Sequence, residues 1–95
     1  MLFIAHCTDK PGHLQVRLDT RPDHLAFLKA KGDALKLAGP TTEADEETPN
    51  GSLLLFEDAD LEAAKAWVAG DPYGAAGLFD SVIVKPWKHA IGGGL

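Results

Sequence analysis

Basic residues are in short supply. Nine lysines and arginines stand against fourteen acids in 95 residues, a formal charge of −5. That balance offers no electrostatic footprint for nucleic acid or for an anionic membrane surface. Cysteine is nearly absent. Cys7 stands alone, so no internal disulfide forms, which fits a reducing cytoplasm. No apolar run nears the roughly 20 residues of a membrane span. The apolar start, Met1 to His6, lacks a basic flank and reads as a first strand, not a secretory leader. Metal and cofactor signatures are missing too. His6 and Cys7 are adjacent and point to opposite faces of a strand, and the histidine spacings match no zinc pattern. His13 and His89 read as solvated. Glu43, Asp45, Glu46 and Glu47 match no EF-hand loop and read as a solvated acidic loop. There is no P-loop, no dinucleotide fingerprint and no nucleophile elbow. The chain is therefore expected to work without a metal and without a cofactor.

What is present is a globular pattern, 45% hydrophobic and 24% charged, of a size for one domain. A domain this small is often helped by association. Leu2–Cys7 reads as a strand, followed by turn chemistry in Thr8-Asp9-Lys10-Pro11-Gly12. From His13 the spacing predicts a helix, with Leu14, Leu18, Leu25 and Leu28 stacked on its buried face. The ring of Pro22 clashes with the Leu18 carbonyl in an ideal helix, so a kink or two successive helices are expected. In the second case Asp19 or Thr20 caps the second helix. Gly32 is a plausible stop. Ala34–Ala38 reads as a second strand ended by Gly39-Pro40, and Thr41–Asn50 as a mobile connecting loop. Ser52–Glu57 is a third strand, apolar without alternation, which asks for cover on both faces. Asp58 or Asp60 caps a second helix with Leu61, Ala64, Trp67 and Val68 inward. Phe79–Val84 is the fourth strand, and Ile91–Leu95 a loose tail. The domain is drawn over residues 1–89 and the tail over 90–95.

The order β-α-β-β-α-β folds as an α+β, ferredoxin-like sandwich, with a four-stranded antiparallel sheet and both helices on one face. Leu53 and Leu55 then oppose Leu54 and Phe56, and Leu2 and Ile4 oppose Phe3 and Ala5. The uncovered face is too apolar to leave wet. A second copy packed there, forming a two-fold dimeric α+β barrel, is the expected partner.

Between the second helix and the last strand lies Gly70-Asp71-Pro72-Tyr73-Gly74-Ala75-Ala76-Gly77, a connector carrying an acid, a proline and the one tyrosine. Asp71 reads equally as a turn-former and as the acid beside a histidine. His24 falls on the flank of the leucine stripe, and its ordinary pKa near 6.5 makes it the default acid or base at neutrality. Position alone leaves open a border histidine with no role. Arg17 and Arg21 match a carboxylate or phosphate, or pair with surface acids such as Asp19 and Asp23. Tyr73 donates to a substrate or caps a core edge.

Arg17-Leu18-x-x-Arg21-Pro22-x-His24-Leu25, then Ala38-Gly39-Pro40, Asp71-Pro72-Tyr73 with Ala76-Gly77, and Val84-Lys85-Pro86-Trp87 together resemble the YciI-like (YCII-related) family. The resemblance runs nearly end to end. It implies a ferredoxin-like homodimer and a His–Asp pair in a pocket, which here falls on His24 and Asp71. Related members include dehydrochlorinases acting on chlorinated ring-cleavage products, and the wider superfamily holds muconolactone isomerase-like proteins. The expected function is a cofactor-independent lyase or isomerase. His24 would move a proton, Asp71 orient it, Arg17 or Arg21 hold a substrate acid, and Tyr73 shape the wall. The competing expectation is a dimeric module that binds a small ligand without turning it over.

Overall fold

Four extended segments, most of them apolar, build the sheet, and helices cover one of its faces. The computed structural model describes residues 1–95. Strand β1 is Leu2–Asp9, helix α1 Leu14–Ala30, β2 Leu35–Thr42, β3 Pro49–Glu57, α2 Leu61–Ala69, α3 Pro72–Ala75 and β4 Phe79–Pro86. A single 3-10 turn, Gly32–Ala34, joins α1 to β2. All strand pairs are antiparallel, in the order β2-β3-β1-β4. This is the expected ferredoxin-like α+β sandwich. No helix is long and apolar enough to cross a membrane.

Register decides the two faces. Phe3, Ala5 and Cys7 of β1 align with Phe56, Leu54 and Ser52 of β3, and all six are buried beneath the helices. Leu28, Ala64 and Val68 close this core from above. Aromatic contacts tie the layers: Phe27 stacks on Trp67 at 5.0 Å, and Trp67 meets Phe56 at 4.5 Å. Asp60 caps α2 by accepting from the Ala63 N–H. Gly51 is dictated by close approach. A Cβ there would collide with the Cys7 carbonyl oxygen and the Thr41 hydroxyl. The other face carries Ile4, Leu37, Leu53, Leu55 and Ile83, of which Leu37, Leu53 and Ile83 stay exposed. With Trp87 and Ile91 from beyond β4, several of them line a groove of about 630 Å³.

Four expectations are corrected. Of the two alternatives at Pro22, two successive helices with a cap at Asp19 or Thr20 is ruled out, since α1 runs unbroken from Leu14 to Ala30. Pro22 lies on the exposed side, beside exposed Leu18, so the carbonyl that loses its donor faces water. The buried face of α1 keeps only Leu28 of the leucine stripe. Leu14 and Leu18 are exposed, and Arg17, His24 and Leu28 point inward. Strand β2 continues through Gly39-Pro40 because it is an edge strand, where a proline costs no central ladder bond. The 41–50 loop is a shorter, hydrogen-bonded hairpin. Asp45 accepts from the Glu47 and Thr48 N–H groups and from the Thr48 hydroxyl, and these bonds hold its carboxyl below the usual range, the hydroxyl most of all.

Candidate active site

Asp71 follows the end of α2 in an extended conformation, φ −62° and ψ 126°, as the residue before a proline should. Its carboxylate caps the short α3, accepting from the Tyr73 N–H at 3.0 Å. The same carboxylate receives His24 Nδ1, at 2.9 Å to Oδ1 and 3.0 Å to Oδ2. Both readings of Asp71, turn-former and histidine partner, are therefore satisfied at once. The pair is buried: Asp71 is 1% and His24 6% exposed.

A carboxylate only accepts, so Nδ1 carries the hydrogen and the neutral ring leaves its lone pair on Nε2. Nε2 makes no hydrogen bond to the protein and is not sealed in, since no buried side-chain nitrogen or oxygen lacks a partner. Tyr73 fixes the ring plane. The two rings stack at 3.9 Å with 16° between planes. Phe79 meets Tyr73 edge-on at 6.0 Å. Burial pushes the Tyr73 phenol above its ordinary pKa, with Arg17 opposing and Asp71 adding to the rise.

Two turns before His24 on α1, Arg17 reaches the same tyrosine, its Cζ 4.6 Å from the ring centre. Arg17 Nε donates to Asp9 Oδ2 at 2.7 Å, and Nη2 donates to Asp9 Oδ1 at 3.0 Å and to Ser52 Oγ at 2.9 Å. Burial alone would lower the guanidinium pKa, but the fork on Asp9 more than offsets it and the value is raised. Arg21, one turn on, is exposed and makes no ion pair. Beneath the network, burial first and the Asp71 charge second push the Cys7 thiol up to about 12, so it is inert at neutral pH.

A cleft of about 240 Å³ opens between α1 and the β2–β3 edge. Arg17, Arg21, His24 and Tyr73 line its polar side, and Leu25, Pro40 and Leu54 its apolar side. The arrangement is an apolar slot with one oriented imidazole, one phenol and one unneutralised cation. No group of three or more histidine, cysteine, aspartate or glutamate side chains is placed to hold a metal ion. Four of the five candidate residues thus line one cleft, and the fifth, Asp71, lies buried behind His24. The periodicity missed Asp9 and Ser52. Asp9 looked like turn chemistry, and the signal that finds it is the i, i+7 spacing of Arg17 and His24, which puts an arginine on the inward face in need of an acid.

Comparison with known proteins agrees with this architecture. The YCII-related domain model matches residues 1–88. The chain is 42% identical over 95 residues to the protein YciI of Escherichia coli, covering 93% of this chain and 97% of that one. An uncharacterised protein of Haemophilus influenzae is 40% identical with the same coverage. Among solved structures, 5-chloro-2-hydroxyhydroquinone dehydrochlorinase from Burkholderia phenoliruptrix, in complex with 2,5-dihydroxybenzoquinone, aligns with a TM-score of 0.88 at 38% identity, covering 95% of this chain and 96% of that one. A cofactor-independent oxygenase from Streptomyces nogalater aligns at 0.57 with 14% identity, covering 95% and 94%, a likeness of fold alone. By family match and by identity along nearly its whole length, the chain belongs to the YCII-related family.

Proposed function

We propose that this protein is a cofactor-independent enzyme of the lyase or isomerase type, moving a proton on a small acidic or lactone ring. The observation that carries the reading is the buried His24–Asp71 pair, with Nε2 free at an otherwise apolar cleft. Support for the substrate class comes from the related dehydrochlorinase bound to a hydroxylated quinone. In the lyase direction, Nε2 takes a proton from carbon next to a carbonyl. The C–H pair becomes a C=C bond, and chloride leaves the adjacent carbon with its own bonding pair. Atoms and electrons balance with no oxidant. In the isomerase direction the imidazolium returns the proton at a second carbon. Asp71 stabilises the imidazolium and holds the ring, Tyr73 fixes its plane, and Arg17 or Arg21 holds an acidic substituent. The proposal includes a homodimer, closed over the apolar outer face of the sheet that carries Leu37, Leu53 and Ile83, and a cytoplasmic location consistent with the lone buried thiol.

The test is a panel of chlorinated hydroxyquinols, chlorinated muconate-like acids and lactones, assayed with wild type and His24→Asn. Positioned general-base catalysis contributes about 10² to 10⁴ in rate, so turnover should fall by at least 100-fold while binding is kept. Equal turnover in the variant would refute the assignment. Binding without turnover in the wild type would make the site a ligand-binding module. Light scattering at micromolar concentration should report a dimer, and a monomer would overturn that part.

A further inference from the structure

We infer that Arg21, and not Arg17, reads the negative charge of the ligand, so that the site selects a singly anionic, planar ring; this rests on the proposed reading of the cleft. The two arginines look equivalent in the sequence, one turn apart on one helix. Their surroundings are opposite. Arg17 is 4% exposed, and its charge is already matched by Asp9 through two hydrogen bonds, with Ser52 taking a third. A guanidinium held by a carboxylate in this way is a neutral unit, stiff and with little field left for a third group. Its task is structural: it supports the Tyr73 ring from below the cleft.

The charge count around the cleft sharpens the point. The Arg17–Asp9 pair sums to zero. A neutral His24 on Asp71 leaves one negative charge, only one ring's width behind Nε2. The chain as a whole carries −5. The Asp71 charge and the net charge of the chain both repel an anion, and the neutral Arg17–Asp9 pair does not offset them. Arg21 is the only lining cation with no acid against it, and it sits one turn before His24. An acidic ring with its reacting carbon at Nε2 would meet Arg21 when its charged oxygen is turned toward that part of the helix. The apolar side, Leu25, Pro40 and Leu54, has no group for a second charge. A hydroxyquinone fits this description. It is a vinylogous acid, ionised near neutrality, flat, and apolar on both faces.

The experiment compares 2-hydroxy-1,4-benzoquinone, which has one ionisable hydroxyl on the same ring as the ligand of the related dehydrochlorinase, with its uncharged methyl ether, which differs in that charge and by one methyl group. Binding is measured by calorimetry with wild type, Arg21→Gln and Arg21→Lys. A hydrogen bond to a charged group in such a site corresponds to about tenfold to hundredfold in affinity. Arg21→Gln should lose that factor for the anion and change the ether by less than about twofold. Arg21→Lys should recover most of it, and the wild-type preference for the anion should shrink as salt rises. Equal weakening of both probes by Arg21→Gln, or no change in either, would overturn the assignment while leaving the cleft reading intact. A wild type that binds neither probe would overturn both. Because Arg21 is exposed, its variants are expected to fold, and an unchanged melting curve checks this.

Discussion

The layer between helices and sheet has two ends built on opposite principles. At one end Phe3, Phe56, Leu28 and Val68 pack as an ordinary apolar core, tied to α1 and α2 by Phe27 and Trp67. At the other, in the same layer and equally dry, lie Asp9, Arg17, Ser52, His24, Asp71 and Tyr73. The first end needs only volume and shape. The second needs every donor and acceptor matched, because one unpaired polar atom in a dry site costs more than the bond it replaces. That standard is met: no buried side-chain polar atom is without a partner. A polar layer of this kind is a poor source of net stability, and apolar residues of equal size often do better. Its persistence in one half of a small core is best explained by the chemistry at its edge.

The contrast predicts different costs. Phe56→Ala removes a fully buried ring and should lower stability by about 4 kcal/mol in chemical denaturation, with the cleft geometry and ligand binding retained in the folded fraction. Asp9→Ala leaves the Arg17 charge buried and unpaired and should cost about 3 kcal/mol. Replacing both partners by apolar residues of similar volume should recover most of that loss, which the hydrophobic end would not permit for two of its own members. A simple sum of the single effects would contradict the account.

A smaller effect follows from Cys7, at the boundary of the two ends. Its folded pKa, about 12, lies above the ordinary 9.0, so between those values the unfolded chain has released a proton that the folded chain keeps. Cys7 therefore makes stability fall as pH rises through this window, by about 1 kcal/mol per unit, and Cys7→Ala should remove that share of the slope, leaving the part due to the raised Tyr73 phenol. The same burial predicts that a thiol reagent at pH 8 labels Cys7 only on unfolding. Asp71→Asn should have the least effect on stability, about 1 kcal/mol, because an amide oxygen still caps α3. Yet its NH₂ would donate to Nδ1 and move the ring hydrogen to Nε2. Turnover should fall by about 10³ to 10⁴, measured on whichever substrate the panel identifies.

The apolar end was legible from the residues alone. Element order, the opposed faces of Leu53–Phe56 and the uncovered outer face all follow from period-two and period-four patterns, and the sequence narrows the cap of α2 to Asp58 or Asp60, of which Asp60 serves. The polar end was not, and Leu14 and Leu18 show why. Periodicity takes a leucine stripe as the buried side, whereas here Arg17 and His24, two turns apart, are buried, Leu18 borders the cleft and Leu14 is exposed. Hydropathy cannot see a buried arginine whose acid lies on another element. The link between His24 and Asp71 came from resemblance to the family, since residues so distant in the chain meet only through the fold. Asp9 and Ser52 had no such guide.

The claim on which the rest depends is that Asp71 holds His24 as the Nδ1–H form, with the Nε2 lone pair facing the cleft. Nitrogen-15 NMR of the imidazoles tests it directly, at a pH where the ring is neutral. The account predicts a protonated Nδ1 and an unprotonated Nε2 for His24, exchanged for the opposite tautomer in Asp71→Asn. A wild-type His24 carrying its hydrogen on Nε2, or averaging freely between both nitrogens, would contradict it.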